Sequence, residues 1–166
     1  MSLIISARPP LTDLTERERM FQEAVRDFAT AEIAPNVARM DETAQMDPEL
    51  ITQLFEMGLM GIEIPESLGG TGADFFTSVL IVEELSRVDP SVGVLVDVQN
   101  TLFINALLRW ATDEQRERLL PRVASDTVGA YALSEAGSGS DAFALSCRAT
   151  VDGDDWILNG HKLWIT

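Results

Sequence analysis

The residues best suited to chemistry lie in one run, Tyr131-Ala132-Leu133-Ser134-Glu135-Ala136-Gly137-Ser138-Gly139-Ser140-Asp141-Ala142. Gly137 and Gly139 remove side-chain bulk, so successive amides can face an anion, and Ser134, Ser138 and Ser140 add hydroxyl donors. That set suits a phosphate or pyrophosphate. On spacing alone, a structural loop between two strands explains the same residues. Gly137, Gly139 and Ala142 also fit the Gly-x-Gly-x-x-Gly/Ala spacing of dinucleotide folds, but that motif must open a helix whose N-terminus receives the pyrophosphate. Here a strand pattern follows, so that reading is rejected. A second glycine cluster, Pro65 to Gly72, has no strand before it and no Gly-Lys-Ser/Thr after it, and reads as a plain turn.

Other reactive types point to structure. Glu83 and Glu84 are neighbours on a helix, where side chains diverge by roughly 100° and cannot share one substrate atom. A solvated or helix-pairing role follows. Cys147 falls on the apolar face of a strand and reads as packing, and His161 beside an Asn-Gly turn reads as exposed. With one cysteine and one histidine, neither an intrachain disulfide nor a Cys and His zinc site can form. Asp97, Asn100 and Thr101 suit either the wall of a pocket or polar positions satisfied inside a helical core.

The elements that must carry these residues are mostly helical. Thr15 with Glu18 makes a capping box, and Phe21, Val25 and Phe28 recur at helical spacing up to a stop near Pro35. Asp47-Pro48 opens a second helix that ends at Gly58 or Gly61, and Phe75, Val79 and Val82 begin a third that closes near Asp89-Pro90. The run Val92 to Trp110 makes a central helix. Its polar positions, Asp97, Gln99, Asn100 and Asn105, would be expensive in hydrocarbon, so it reads as buried and not as a membrane span. Thr112 with Gln115 caps a fifth helix, Asp113 to Val123.

The period changes near Thr127. From Phe143 to Val151 apolar and polar residues alternate, which predicts a half-buried strand, and another strand should end near Ser134. Asp152-Gly153-Asp154 and Asn159-Gly160 turn the chain into Trp156–Leu158 and His161–Thr166. The expected domains are an all-α unit over 1–126 and a partial β unit over 127–166. The fold class is thus a mainly α bundle followed by the beginning of an antiparallel sheet or barrel. A formal net charge of −15 repels phosphate backbones and anionic lipid surfaces, which argues against nucleic acid and membrane partners. Leu3-Ile4-Ile5, followed by Arg8 and two prolines, is too short for a signal-peptide core, so no targeting signal is read.

The run Tyr131 to Ala142 closely resembles a signature of acyl-CoA dehydrogenases. Asn159-Gly160-His161-Lys162-Leu163-Trp164-Ile165-Thr166 is similar to that family's second flavin-contacting segment. Gly61-Ile62-Glu63-Ile64-Pro65-Glu66, Gly69-Gly70-Thr71-Gly72 and Ile81-Val82-Glu83-Glu84-Leu85 match in the same order. Gln99-Asn100-Thr101-Leu102 and Leu-Ser-Glu-Ala-Gly resemble the short and branched-chain members. The resemblance implies FAD as cofactor, held by Tyr131, Ala132, Leu133, Ser134, Gly137, Ser138, Gly139 and Ser140, with Ser140 also reaching toward the acyl-CoA substrate. It implies that Trp164 packs on the isoalloxazine ring and that Ile165 and Thr166 lie in the second flavin segment, Thr166 near flavin N5.

The implied reaction is α,β-dehydrogenation of an acyl-CoA thioester to the enoyl-CoA, within fatty-acid and branched-chain amino-acid breakdown. Acyl-CoA oxidases share the layout. The family places its catalytic glutamate and subunit interface in a C-terminal helical domain outside these residues, so no catalytic residue is assigned here and the chain alone is expected to be inactive. The same resemblance implies electron-transfer flavoprotein as a partner, a homo-oligomer when complete, and a bacterial cytoplasmic or mitochondrial matrix location. A truncated, non-catalytic binding partner is the alternative.

Overall fold

The computed structural model describes residues 13–166, so the apolar start Leu3–Ile5 lies outside them. Seven α-helices and one two-stranded sheet make up its regular structure, with π and 3₁₀ turns between them. Thr15 caps α1 (Glu16–Phe28): its hydroxyl accepts from the Glu18 amide, and the Glu18 carboxylate accepts from the Thr15 amide. The helical path then passes Pro35 instead of stopping there. A π turn at Ala29–Ile33 and a 3₁₀ turn at Ala34–Asn36 absorb the proline, and α2 (Val37–Thr43) follows. It ends where Ala44 turns left-handed, at φ 51°.

Asp47 caps α3 (Pro48–Glu56), Asp74 caps α4 (Phe75–Ser86) and Asp89 caps α5 (Pro90–Asp97). From α5 the chain runs through a seven-residue π segment, Val98–Ile104, into α6 (Asn105–Trp110). Thr112 and Gln115 form the expected capping box on α7 (Asp113–Ser125). Helices α4 and α5 pack closely because Gly93 faces Ser86. A β-carbon there would lie 2.0 Å from Ser86 Oγ.

One apolar cluster joins Val25, Ile33, Leu54, Met60, Ile62, Ile81, Leu85 and Val96, and a second joins Ile64, Ile104, Leu120 and Val123. Each fully buried aliphatic stabilises the fold by about 1.5–3 kcal/mol. The run Pro90–Trp110 is long and apolar enough to cross a bilayer on length and composition. Here its Val92, Val96, Gln99, Asn100 and Ile104 are buried in the helical core. Glu84 is buried on α4 and takes a two-nitrogen fork from Arg26 of α1, at 2.7 and 3.1 Å, with Arg87 at 3.0 Å. That is the helix-pairing role. Glu83 is exposed.

The sheet is smaller than the alternation suggests. Strands β1 (Arg148–Asp152) and β2 (Asp155–Asn159) pair antiparallel around Gly153, with Thr150 opposite Ile157, and both strands are exposed along their whole length. Residues 127–134, 143–147 and 161–166 are not strands. Within 143–147 the Phe143 N–H bonds the Asp141 carboxylate, and the Ser146 and Cys147 amides bond Glu135. A side chain that captures those amides removes them from any ladder.

Candidate functional site

The loop after α7 is fixed first by Gln99. Its amide donates to the carbonyls of Val123 and Thr127 at 3.2 and 3.1 Å, and its oxygen accepts from Gly129 N–H at 2.7 Å. Gln99 is fully buried, so these bonds aim the chain toward Tyr131 with little freedom.

Beyond that point the two glycine-bearing segments meet. Leu163 N–H donates to the Ser134 carbonyl at 2.9 Å, and Lys162 Nζ donates to the Leu133 carbonyl at 3.0 Å. Lys162 also pairs with Glu135 at 2.8 Å. The other carboxylate oxygen of Glu135 accepts from the Ser146 amide and hydroxyl, both at 2.7 Å. The Lys162 ammonium, and then the Ser146 donors, hold the Glu135 carboxyl down at about 2. Glu135 and Ser138 exchange both backbone hydrogen bonds at 3.0 Å, closing a tight turn.

The sequence-predicted residues divide within this frame. Ser138 is 1 % exposed, and its hydroxyl is turned inward to the Asp141 carbonyl at 2.8 Å. Ser134 is half-buried, while Ala132, Gly137, Gly139 and Ser140 are exposed. Neither Gly137 nor Gly139 has a positive φ, and a β-carbon on either would meet nothing within 4 Å. The folded chain therefore has no internal need for glycine at these positions. The free space beyond them suits a group approaching the backbone. Tyr131, Leu133 and Ile165 present apolar surface, and Trp164 is 94 % exposed at φ 59°, a left-handed conformation that aromatic residues seldom adopt. Thr166 stands elsewhere. It lines a cavity of about 500 Å³ with Met46, Ile51, Pro90 and Val94, and none of residues 131–140 lines it.

Tyr131 also borders a cavity of about 490 Å³ with Glu63, Phe75, Thr101, Asn105 and Arg109. Burial pushes the Glu63 carboxyl above its usual range, against weak donors from Ser78 and Asn105 at 3.4 and 3.5 Å. Of Asp97, Asn100 and Thr101, only Thr101 borders this cavity. Asn100 is fully buried, donating to the Leu59 and Val96 carbonyls at 2.8 and 2.9 Å and accepting from Ile62 N–H at 2.9 Å. Asp97 accepts from the Thr101 hydroxyl. Cys147 is half-buried against Gly160, and His161 is exposed.

Residue-by-residue reading missed Gln99, Glu63, Glu135 and Lys162 as working groups. For Glu135 there was a signal: an acidic side chain amid anion-binding donors calls for a partner.

Residues 15–127 match the family described as acyl-CoA dehydrogenase, N-terminal domain. Among curated proteins, the chain is 46% identical over 157 residues to the short/branched chain specific acyl-CoA dehydrogenase, mitochondrial, of Bos taurus. The match covers 95% of this chain and 36% of that protein. Among solved structures, a glutaryl-CoA dehydrogenase from Mycobacterium smegmatis in complex with FADH2 superposes at TM-score 0.85 and 33% identity, covering 92% of this chain and 39% of the other. A chain from structural work on the electron transferring flavoprotein of Acidaminococcus fermentans superposes at TM-score 0.87 and 37% identity, covering 92% and 40%. The chain thus spans well under half the length of these relatives.

Proposed function

The chain belongs to the acyl-CoA dehydrogenase family, and on that premise we propose that it is the N-terminal part of an FAD-dependent enzyme that oxidises a short or branched-chain acyl-CoA thioester to the enoyl-CoA. One observation carries this reading. Two segments distant in sequence are joined at Ser134 and Leu163, with open space over Gly137 and Gly139 and an indole held out beside them.

Those residues fit the cofactor. Exposed backbone at Gly137, Gly139 and Ser140 suits the pyrophosphate, and the apolar faces of Tyr131, Leu133 and Trp164 suit a planar ring. Bound FAD supplies a hydride acceptor for the β-carbon of the thioester. In this reading Trp164 would pack against the isoalloxazine and shield it from water, while Ala132, Ser134 and Ile165 would fix the backbone around it. Ser138 acts through its turn with Glu135 and its bond to Asp141, and Ser140 extends toward the acyl-CoA. Family likeness alone supports the role of Thr166 at flavin N5. The α-proton must leave to a carboxylate, which this reading places in the additional length found in the relatives.

The 1–126 and 127–166 division belongs to the same proposal, in which β1 and β2 begin a larger sheet. Their exposed Val151, Trp156, Ile157 and Leu158 are what further strands would cover. Residues 1–166 alone are then inactive. The same proposal takes an electron-transfer flavoprotein as the electron acceptor, supported by the Acidaminococcus fermentans neighbour, and a mitochondrial matrix location in a eukaryote, supported by the mitochondrial relatives; a homo-oligomer and a cytoplasmic location in a bacterium rest on family resemblance alone.

The test is to load the full-length protein with FAD and add butyryl-CoA, 2-methylbutyryl-CoA or palmitoyl-CoA anaerobically. Rapid bleaching of the flavin absorbance by the first two, and slow or no bleaching by the third, is expected. A protein that takes up no FAD refutes the proposal.

A further inference from the structure

We propose that Glu135 and Lys162 are positioning residues that lock the segments 131–140 and 162–165 into the single surface on which the flavin is to rest. This inference rests on the FAD reading above and assigns a role to two side chains that need not touch the cofactor themselves.

The argument starts from what else holds the segments together. No β-ladder joins them, because residues 127–134 and 161–166 are not strands. A single backbone bond, Leu163 N–H to the Ser134 carbonyl, links the two directly. One backbone bond is weak restraint for a surface that must match a rigid ring.

The remaining links converge on one ion pair. Lys162 Nζ reaches both the Glu135 carboxylate and the Leu133 carbonyl, so one ammonium grips the first segment at two points, one a side chain and one a peptide. Glu135 in turn accepts from the Ser146 amide, the Ser146 hydroxyl and the Cys147 amide, which leads directly into β1 at Arg148. Four donors on one carboxylate fix three stretches of chain: 133–135, 146–147 and 162–163. The Glu135 side chain is 4 % exposed and the Lys162 side chain 22 %. Charge-assisted bonds in such surroundings are shorter and stronger than neutral ones.

Direction matters as much as strength. Glu135 lies one residue after Ser134 and two before Gly137, and Lys162 lies two before Trp164. With a carboxylate turned inward at 135 and Ser138 closing the turn, Gly137 and Gly139 are exposed, and a β-carbon on either would meet nothing within 4 Å. Lys162 anchors the chain immediately before the left-handed turn at Trp164, which sends the indole outward. The pair therefore sets both the pyrophosphate side and the ring side of the surface. Holding groups before a ligand arrives is what lowers the entropy lost on binding.

The experiment uses the full-length protein with Glu135→Gln, Lys162→Met and the conservative Lys162→Arg. FAD affinity is measured by quenching of flavin fluorescence, and the bound flavin by its visible circular dichroism. Hydrogen exchange at the Leu163 amide is followed in the protein without FAD. Positioning predicts that Glu135→Gln and Lys162→Met weaken FAD binding by roughly tenfold or more, the effect typical of losing a group that orients a ligating residue. It also predicts altered flavin dichroism, faster exchange at Leu163, and recovery of all three in Lys162→Arg. A purely structural role would lower the melting temperature but leave the dichroism of the bound flavin unchanged, and that result overturns the inference. So does parental FAD affinity in both disruptive variants. Failure of the parent itself to bind FAD overturns the proposed function and this role together, which separates the two failures. If Glu135→Gln does not fold, Lys162→Met and Lys162→Arg decide alone.

Discussion

Replacing Asn100 with leucine removes one buried polar network while keeping the branched shape of the side chain. Asn100 gives its two amide hydrogens to the Leu59 and Val96 carbonyls and accepts from Ile62 N–H, at zero exposure. Val96 sits in α5 and keeps its helical environment, but the Leu59 carbonyl and the Ile62 N–H gain no substitute partner. Each orphaned buried group is worth about 1–3 kcal/mol, so the gross loss is about 2–6 kcal/mol. The added apolar burial offsets about 1–2 kcal/mol of that. The middle of these ranges leaves a net destabilisation of about 2.5 kcal/mol, a fall in Tm of roughly 5–10 °C for a protein of this size. Equilibrium urea unfolding followed by far-UV circular dichroism measures it. Thr101→Val is the comparison, because its hydroxyl bonds only Asp97 within its own turn and should change stability by under about 1 kcal/mol. A loss below about 1 kcal/mol in Asn100→Leu would refute the claim that this amide holds the 59–62 segment against the central helix.

Three further outcomes are expected. The Glu135 carboxyl is depressed from 4.5 to about 2. Its bonds are therefore at full strength above pH 4.5, and their contribution to stability falls as the pH drops toward about 2. In NMR the Ser146 and Cys147 amide shifts should titrate near pH 2; a midpoint near 4.5 contradicts the pairing. Glu63 is shifted upward by burial, so its favourable share is present below pH 4.5 and is lost as the pH rises through its raised value. Glu63→Gln should raise Tm by a few degrees at pH 7 and by little near pH 4, and a lower Tm at pH 7 would show that the charge is stabilising. Trp164→Gly relieves about 1–2 kcal/mol of left-handed strain while loosening the unfolded chain by about 0.5–1 kcal/mol. Stability without FAD should stay within about 1 kcal/mol of the parent, while FAD binding weakens roughly tenfold or more as the ring surface is lost. Unchanged FAD affinity would remove Trp164 from the site.

Local chemistry made the helical part legible. Thr15 with Glu18, Asp47-Pro48 and Thr112 with Gln115 each open a helix at the expected residue, because a cap satisfies donors within three positions of itself. The turn from Pro65 to Gly72 was equally readable, with Gly69 and Gly72 both at positive φ. Alternation from Phe143 was misleading for a physical reason. A two-residue period states which side chains share a face and says nothing of whether a neighbouring strand exists, and here Asp141 and Glu135 take the amides instead. Glu84 was ambiguous because its partner Arg26 lies 58 residues away. The candidate site was legible as two motifs, yet the groups that join them, Glu135 and Lys162, act across 27 residues and emerge only from folding.

The π segment at Val98–Ile104 has a consequence for how the cavity bordered by Tyr131 can change. Thr101 and Leu102 lie inside that segment, while Asn105, Ala106 and Arg109 follow it on α6, and all five face the same space. An α-helix advances about 100° per residue. Deleting one residue from the wide turn would let it tighten to α geometry, and the tighter winding makes up nearly all of the rotation that the lost residue supplied. Asn105 and Arg109 would keep their place on the wall, with Val92 and Val96 still seated upstream, and only Thr101, Leu102 and their neighbours in the bulge would be rearranged. The cavity can thus change at the bulge alone while the helix on either side of it stays in register.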